Sequence, residues 1–192
     1  ASFLAVKSDM SPRSYLEELR SERTRLKKIG KEGVELDVES SLDLSYRRLE
    51  PETAVIFALL SVFPGDFNAA AEEVVCQDEG HRHLSELVRW SLVEYQKPGE
   101  EGEGRYYLHD LVRLFAAERL EEAGDEAARN NAQQRHSEHF KEVLSSATEL
   151  YQNGGTLAGL ESFDRERMNI EAGWEWAKKY FMDNNAVAAL CN

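Results

Sequence analysis

Leu92-Val93-Glu94-Tyr95-Gln96, then Lys97-Pro98-Gly99-Glu100-Glu101-Gly102-Glu103-Gly104, then Arg105-Tyr106-Tyr107-Leu108-His109-Asp110-Leu111-Val112-Arg113 is the stretch on which the fold turns. Two short β-rich runs around a Gly/Pro/Glu loop predict a hairpin. The second run passes without a spacer into Leu111 to Leu120, whose apolar positions repeat with helical spacing. His109 stands at that junction. A ring there can face the helix N-terminus, where unpaired N–H groups and the macrodipole attract phosphate. Asp110 is placed to cap the helix that follows. A capped helix with a core histidine beside it explains the same tripeptide, and the tripeptide alone leaves both readings open.

Upstream, Ser11-Pro12 predicts a helix start, with Tyr15, Leu16, Leu19 and Leu26 as its apolar stripe and Gly30 to Gly33 as a linker. A second helix is expected over 38–48, with Val38, Leu42, Ser45, Tyr46 and Leu49 on one face. Pro51 breaks it and opens a third, running to about Val62 and apolar around most of its circumference. Pro64-Gly65-Asp66 is a turn, Asn68 caps a short helix through Val75, and His81 to Trp90 forms another with Leu84, Leu87 and Val88 inward. Helices, a hairpin and a further helix describe a winged helix whose acidic loop is the wing.

Beyond Asp110 the pattern is helical throughout: 110–123, 125–152, and 157–181 with a break possible, divided by Gly124 and Gly154-Gly155. Phe163, Met168, Ile170, Trp174, Trp176, Ala177 and Phe181 are the expected core of the last segment, although Trp174 and Trp176 cannot both face inward on one helix. Asn184 to Asn192 reads as the start of another helix, and Ala1 as a cut inside a longer protein. The fold class is mainly α.

The 192 residues carry a net charge of −13, unevenly spread. Residues 1–38 sum to +1, 39–122 to −10 and 123–192 to −4. An acidic middle segment opposes duplex binding, which depends on neutralising phosphates. No apolar run of about 18 residues occurs, so no transmembrane helix is expected. Cys76 and Cys191 make no Cys-x-x-Cys pair and no disulfide framework, which favours a cytoplasmic location. Cys76 with His81 and His83 lacks a suitably spaced fourth ligand, so no metal is expected there. His136 and His139, one turn apart beside Glu138 and Glu142, read as exposed polar residues of a solvated helix.

Several segments, in order, resemble one family. Leu44-Ser45-Tyr46-Arg47-Arg48-Leu49-Glu50-Pro51-Glu52 resembles the opening of the winged-helix domain of STAND-class NTPases with an NB-ARC core. Phe57-Ala58-Leu59-Leu60-Ser61-Val62-Phe63-Pro64-Gly65 is similar to its second helix and turn, and Glu86-Leu87-Val88-Arg89-Trp90-Ser91-Leu92-Val93 to the helix leading into its hairpin. Leu108-His109-Asp110-Leu111-Val112-Arg113 resembles the family's Met-His-Asp type motif, with Leu for Met. Phe163-Asp164-Arg165-Glu166-Arg167-Met168-Asn169-Ile170 and Trp174-Glu175-Trp176-Ala177 are similar to the helical region before tetratricopeptide-type repeats in bacterial, SARP-like members.

The resemblance implies three parts: 1–36 as the end of an NB-ARC helical domain, 37–122 as the winged helix, and 123–192 as an antiparallel helical arm leading to tetratricopeptide-like repeats. It implies a nucleotide switch in which His109 reaches the β-phosphate of ADP and Asp110 orients it. ADP or ATP with Mg belongs to the longer protein, because no G-x-x-x-x-G-K-[ST] and no acidic strand end for Mg occur in this chain. The family's Gly-x-Pro element would precede Ala1. The implied partners are the chain's own upstream NTPase core, downstream helical repeats and, in the active state, further copies of itself.

Two other readings compete. In a DNA-binding winged-helix regulator, His81 to Trp90 would be the recognition helix, offering His81, Arg82, His83 and Arg89 against Asp78, Glu79 and Glu86, with wing carboxylates where phosphate would approach. In an enzyme, His109 with Asp110, or the wing carboxylates, would need a nucleophile at a rigid turn, and none is evident. The expectation is a non-catalytic segment.

Overall fold

The structure, a computed structural model, describes residues 35–98 and 103–190, and the side chains of 41–98 and 103–180. The expected helix after Pro12, the Gly30–Gly33 linker, wing residues 99–102, Cys191 and the side chains of Val38 and Phe181 lie outside these. The chain divides into two compact units between Arg48 and Leu49. In the first, α1 (Glu35–Tyr46) ends in a turn where Arg47 pairs with Asp43 at 2.7 Å. Leu42, Ser45 and Tyr46 are half-buried, and Leu44 is exposed.

The second unit is mainly helical with one small antiparallel sheet. Pro51 supplies the first residue of α2 (Pro51–Leu59), where its missing N–H costs nothing. The helix expected to run to Val62 tightens into a 3-10 turn over Leu60–Val62. Ser61 donates its hydroxyl to the Ala58 carbonyl at 2.6 Å, and Pro64 pushes Phe63 into extended backbone. Ile56, Phe57, Leu60 and Phe63 are buried, but Val55 faces outward and Thr53 is fully buried. Asn68 caps α3 (Ala69–Cys76) by accepting from the Ala71 N–H at 2.9 Å. A 3-10 turn, Glu79–His81, precedes α4 (Arg82–Arg89), which buries Leu84 and Leu87 and leaves Val88 half-buried.

The hairpin is β1 (Glu94–Gln96) and β2 (Arg105–Tyr107), with Tyr95 opposite Tyr106. It is shorter than predicted, because Leu92 and Val93 bend back so that their N–H groups reach the Leu87 carbonyl. Phe67 adds a bridge on the other side of Tyr106, exchanging N–H···O bonds of 2.9 and 2.8 Å.

Three helices follow: α5 (Asp110–Glu122), α6 (Glu126–Gln152) and α7 (Thr156–Leu190). Gly124 and Gly154 adopt φ of +66° and +92°, the left-handed backbone that stops each preceding helix. No break interrupts α7, so Asn184 continues this helix instead of starting another.

Helices α6 and α7 pack antiparallel through two glycines. A Cβ on Gly159 would come within 2.6 Å of the Ala147 carbonyl, and one on Gly173 within 3.0 Å of Ser137 Cα. The core runs from Phe57, 6.2 Å from Phe115, to Phe63, which stacks on Phe67 at 4.3 Å and meets His136 and Phe140 edge-on. Phe63, just after the turn that ends α2, thereby joins that helix to α6. Trp174 is 65% exposed, contrary to its expected core position: Glu166, Ile170 and Gly173 mark the inward face, and Trp174 lies one residue past it. Trp176 is half-buried and stacks on Tyr180.

Candidate functional site

Leu108 is buried and fixes the end of β2. The next residue, His109, has extended backbone (φ −56°, ψ 145°), an exposed side chain, and the N-cap position of α5. Its carbonyl accepts the Arg113 N–H at 2.9 Å, closing the first turn. The core-histidine alternative is therefore set aside: the ring is on the surface, at a helix start whose first N–H groups have no acceptor within the helix.

Asp110 does not take the capping position expected of it. It is the first helical residue, where a carboxylate still complements the dipole. Its Oδ1 accepts from Arg113 Nη2 at 2.9 Å. Arg113 is itself 8% exposed and also donates to the Pro64 carbonyl. Asp110 thus links α5 to the Pro64 turn through Arg113. Asp110 and Arg113 sit three residues apart, one helical turn, a spacing visible in the sequence.

A second polar group joins the hairpin to α7. Arg105 on β2 pairs with Glu166 and also donates to Asp66 Oδ1 at 2.9 Å and to the Asp66 carbonyl at 3.1 Å. Asn169 donates to the same carbonyl at 2.8 Å. Burial disfavours the charge on Arg105, yet the two carboxylates hold its pKa above the ordinary arginine value. These residues are 39 to 103 positions apart, beyond the reach of local pattern.

The residues considered for metal or DNA are turned to structural use. His81 Nδ1 lies 3.0 Å from Glu72 Oε2, in a left-handed backbone conformation (φ 55°). Burial pushes Glu72 up to about 7, against the His81 contact. Asp78 faces Glu72 and accepts the Leu84 N–H at 2.9 Å. His83 Nδ1 meets Thr53 Oγ1 at 2.9 Å, and Thr53 donates to Glu86 at 2.9 Å. Cys76 is buried, which raises its thiol pKa well above the ordinary value. Among the described residues, no three His, Cys, Asp or Glu side chains converge on a point that would hold a metal.

His136 corrects the reading of 136 and 139 as a solvated pair. It is 3% exposed, between Phe63 and Phe140, and burial lowers its pKa to about 4. His139 is half-buried and lowered for the same reason. Helix α6 brings this face against the Phe63 turn and α7, so it is not solvated.

Against known proteins, the chain is 34% identical over 182 residues to Regulatory protein AfsR of Streptomyces coelicolor, covering 91% of this chain and 16% of that protein. The relation is to regulatory proteins. Regulatory protein AfsR of Streptomyces griseus is 36% identical over 120 residues, 60% of this chain and 12% of that protein. A putative disease resistance RPP13-like protein 2 of Arabidopsis thaliana is 29% identical over 103 residues, 45% of this chain and 12% of that protein. The chain therefore spans under a fifth of each of these relatives. These relations support the NB-ARC resemblance at a coarse level. No protein-family model matches the chain, and no solved structure matches it. Among the described residues, no helix is long and apolar enough to cross a membrane.

Proposed function

We propose that the chain is the winged-helix and helical-arm segment of a nucleotide-switch signalling ATPase of the STAND/NB-ARC type. Residues 1–36 would end the helical domain, 37–122 form the winged helix, and 123–192 begin a tetratricopeptide-like region. His109 would contact the β-phosphate of ADP held by the NTPase core of the longer protein, and the segment would not be catalytic by itself.

The observation that carries this reading is the placement of His109, exposed at the first turn of α5 and backed by a buried Leu108. An exposed ring at a helix start suits one phosphate contact made from outside. It is not a nucleotide cradle, and the chain has no phosphate-binding glycine loop to supply one. Arg113, bonded to both Asp110 and Pro64, ties the first turn of α5 to the Pro64 turn. A contact made only when the domains close would favour the closed state by its differential affinity.

The DNA-binding alternative draws less support. Of the four donors on its recognition helix, His81 and His83 are engaged with Glu72 and Thr53, and residues 39–122 carry −10. The cytoplasm, the upstream core, the repeats and assembly into oligomers complete the proposal.

The test is the nucleotide content of the purified full-length protein, native and His109→Ala, by mass spectrometry. ADP in the native protein and its loss in the variant is the expected result. Equal ADP in both would remove His109 from the phosphate, and no nucleotide in either would overturn the switch.

A further inference from the structure

The turn Pro64-Gly65-Asp66 is held from two sides, and both holds lead to His109. On one side, Arg113 donates to the Pro64 carbonyl and to Asp110, while its backbone N–H bonds the His109 carbonyl at 2.9 Å. On the other side stands α7. Asn169 donates to the Asp66 carbonyl at 2.8 Å. Arg105, paired with Glu166, donates to the same carbonyl at 3.1 Å and to Asp66 Oδ1 at 2.9 Å. Met168 lies against Gly65, where a Cβ would be 3.4 Å from Met168 Cβ. Glu166, Met168 and Asn169, within one turn of α7, thus grip a single loop.

A second route is shorter. Arg105 is the first residue of β2, and the chain runs from that strand through Leu108 straight into His109. Phe67, next to Asp66, exchanges N–H···O bonds with Tyr106, so turn and strand are laced together. The strand before His109 and the helical turn after it therefore both trace back to Glu166 and Asn169, which are buried. These contacts are directional hydrogen bonds and an ion pair, not apolar surfaces free to slide. Bonds of 2.8 and 3.1 Å weaken within about 0.5 Å of stretch, whereas helix shifts of about 1–2 Å are ordinary switching steps. A shift of α7 along α6 must either carry β2 and the turn with it or break them loose.

We propose that Glu166 and Asn169 are positioning residues for His109, through which displacement of α7 sets how long ADP is held. The proposal rests on the phosphate contact of His109 in the reading above, and makes α7 the regulator of that contact.

The test is a double-mutant cycle in the full-length protein, followed as the loss of prebound fluorescent ADP on chase with unlabelled ADP. His109→Ala alone speeds the loss if the phosphate contact exists. Glu166→Asp keeps the charge and shortens the side chain by one methylene, which draws Arg105 toward α7 or parts the pair. It is expected to speed the loss at least about fivefold in the native background. When residue 109 is already alanine, it is expected to leave the rate within about twofold, since the group it positions is gone. Asn169→Ala, which keeps the Arg105–Glu166 pair, is expected to behave alike and decides the matter if Glu166→Asp is unfolded by circular dichroism. With His109→Ala active, an equal acceleration in both backgrounds, or none in either, overturns the positioning role and leaves the phosphate contact standing. An inert His109→Ala is a different failure: it removes the phosphate contact itself, and the positioning role falls with it.

Discussion

Arg105 on the hairpin and Glu166 on α7 are bonded through both guanidinium Nη atoms, across 61 positions of sequence, and each side chain is almost wholly out of solvent. Asp66 and Asn169 complete the group, so a turn, a strand and a helix share one set of polar bonds. The Pro64-Gly65-Asp66 turn lies directly under the helix: a Cβ on Gly65 would be 3.4 Å from Met168 Cβ. Desolvating two charges opposes their attraction, so such a pair adds little over apolar packing, but breaking it strands a buried charge.

Glu166→Ala is therefore expected to cost about 3 kcal/mol, because Arg105 keeps only the Asp66 contacts. Urea unfolding monitored by circular dichroism measures it. Arg105→Met with Glu166→Leu, which removes both charges, is expected to cost less than Glu166→Ala alone. Equal losses would mean that the geometry and not the stranded charge sets the energy.

Much of the element order follows from single residues: Pro51, Asn68, Gly124 and Gly154 each mark a boundary that the structure places where local stereochemistry requires it. What pattern alone does not reach is partnership across long separations. Arg105 looks like a surface residue on a strand until Glu166 is brought to it. His136 is the intermediate case. Ala132, His136 and Phe140 repeat every fourth position and are all buried, a face that apolar spacing reveals if histidine is counted with it. Sequence pattern puts Asp110 within one residue of its helix start, but its partner Arg113 is chosen by the Pro64 turn.

His136 gives the fold an acid limit. Its folded pKa of about 4 lies below the unfolded value of 6.5, so the unfolded chain binds the proton more readily. The stability tied to neutral His136 is fully present above pH 6.5 and is lost as pH falls toward 4. His136→Phe, which keeps a ring between Phe63 and Phe140, is expected to flatten that loss. Melting curves at pH 7 and pH 4.5 for both proteins decide it, and an equal fall in both would clear His136 of the effect.

Glu72 acts in the opposite sense. Burial raises its folded pKa to about 7 from 4.5, so protonation favours the fold. Its stabilisation is complete below pH 4.5 and is lost as pH rises through 7. Glu72→Gln, a mimic of the protonated acid, is expected to be more stable than the native chain at pH 8, by at most about 3 kcal/mol, with the difference vanishing near pH 4.5. A variant less stable at both pH values would show that the His81 contact outweighs the burial.

Replacing glycine by alanine inside a helix ordinarily stabilises it by about 0.5–1 kcal/mol. At Gly159 the reverse is expected. The new methyl would sit 2.6 Å from the Ala147 carbonyl and 2.9 Å from the Tyr151 nitrogen, both backbone atoms of the facing helix. Helix α7 must then move off α6, at a cost of about 1–3 kcal/mol. Gly80, with open space around it but a φ of +75°, is the contrasting site, where strain and not crowding opposes alanine. Thermal melts of Gly159→Ala measure the cost, and a gain in stability would mean the two helices can part freely.

His109 separates stability from function. The side chain is exposed and the N-cap position makes no side-chain cap bond, so His109→Ala should leave the stability of the chain within about 0.5 kcal/mol of native. Asp110→Ala, by contrast, removes an acceptor from buried Arg113 and should cost measurably more. If His109 serves the proposed phosphate contact, its loss is silent in the unfolding of this chain and visible in the full-length protein as reduced ADP retention and raised basal output. Unfolding curves of the two variants of the chain, set beside the nucleotide content of the corresponding full-length proteins, distinguish a sensing residue from a structural one. A large loss of stability in His109→Ala would assign the histidine to the fold, and any ADP loss would then follow from misfolding.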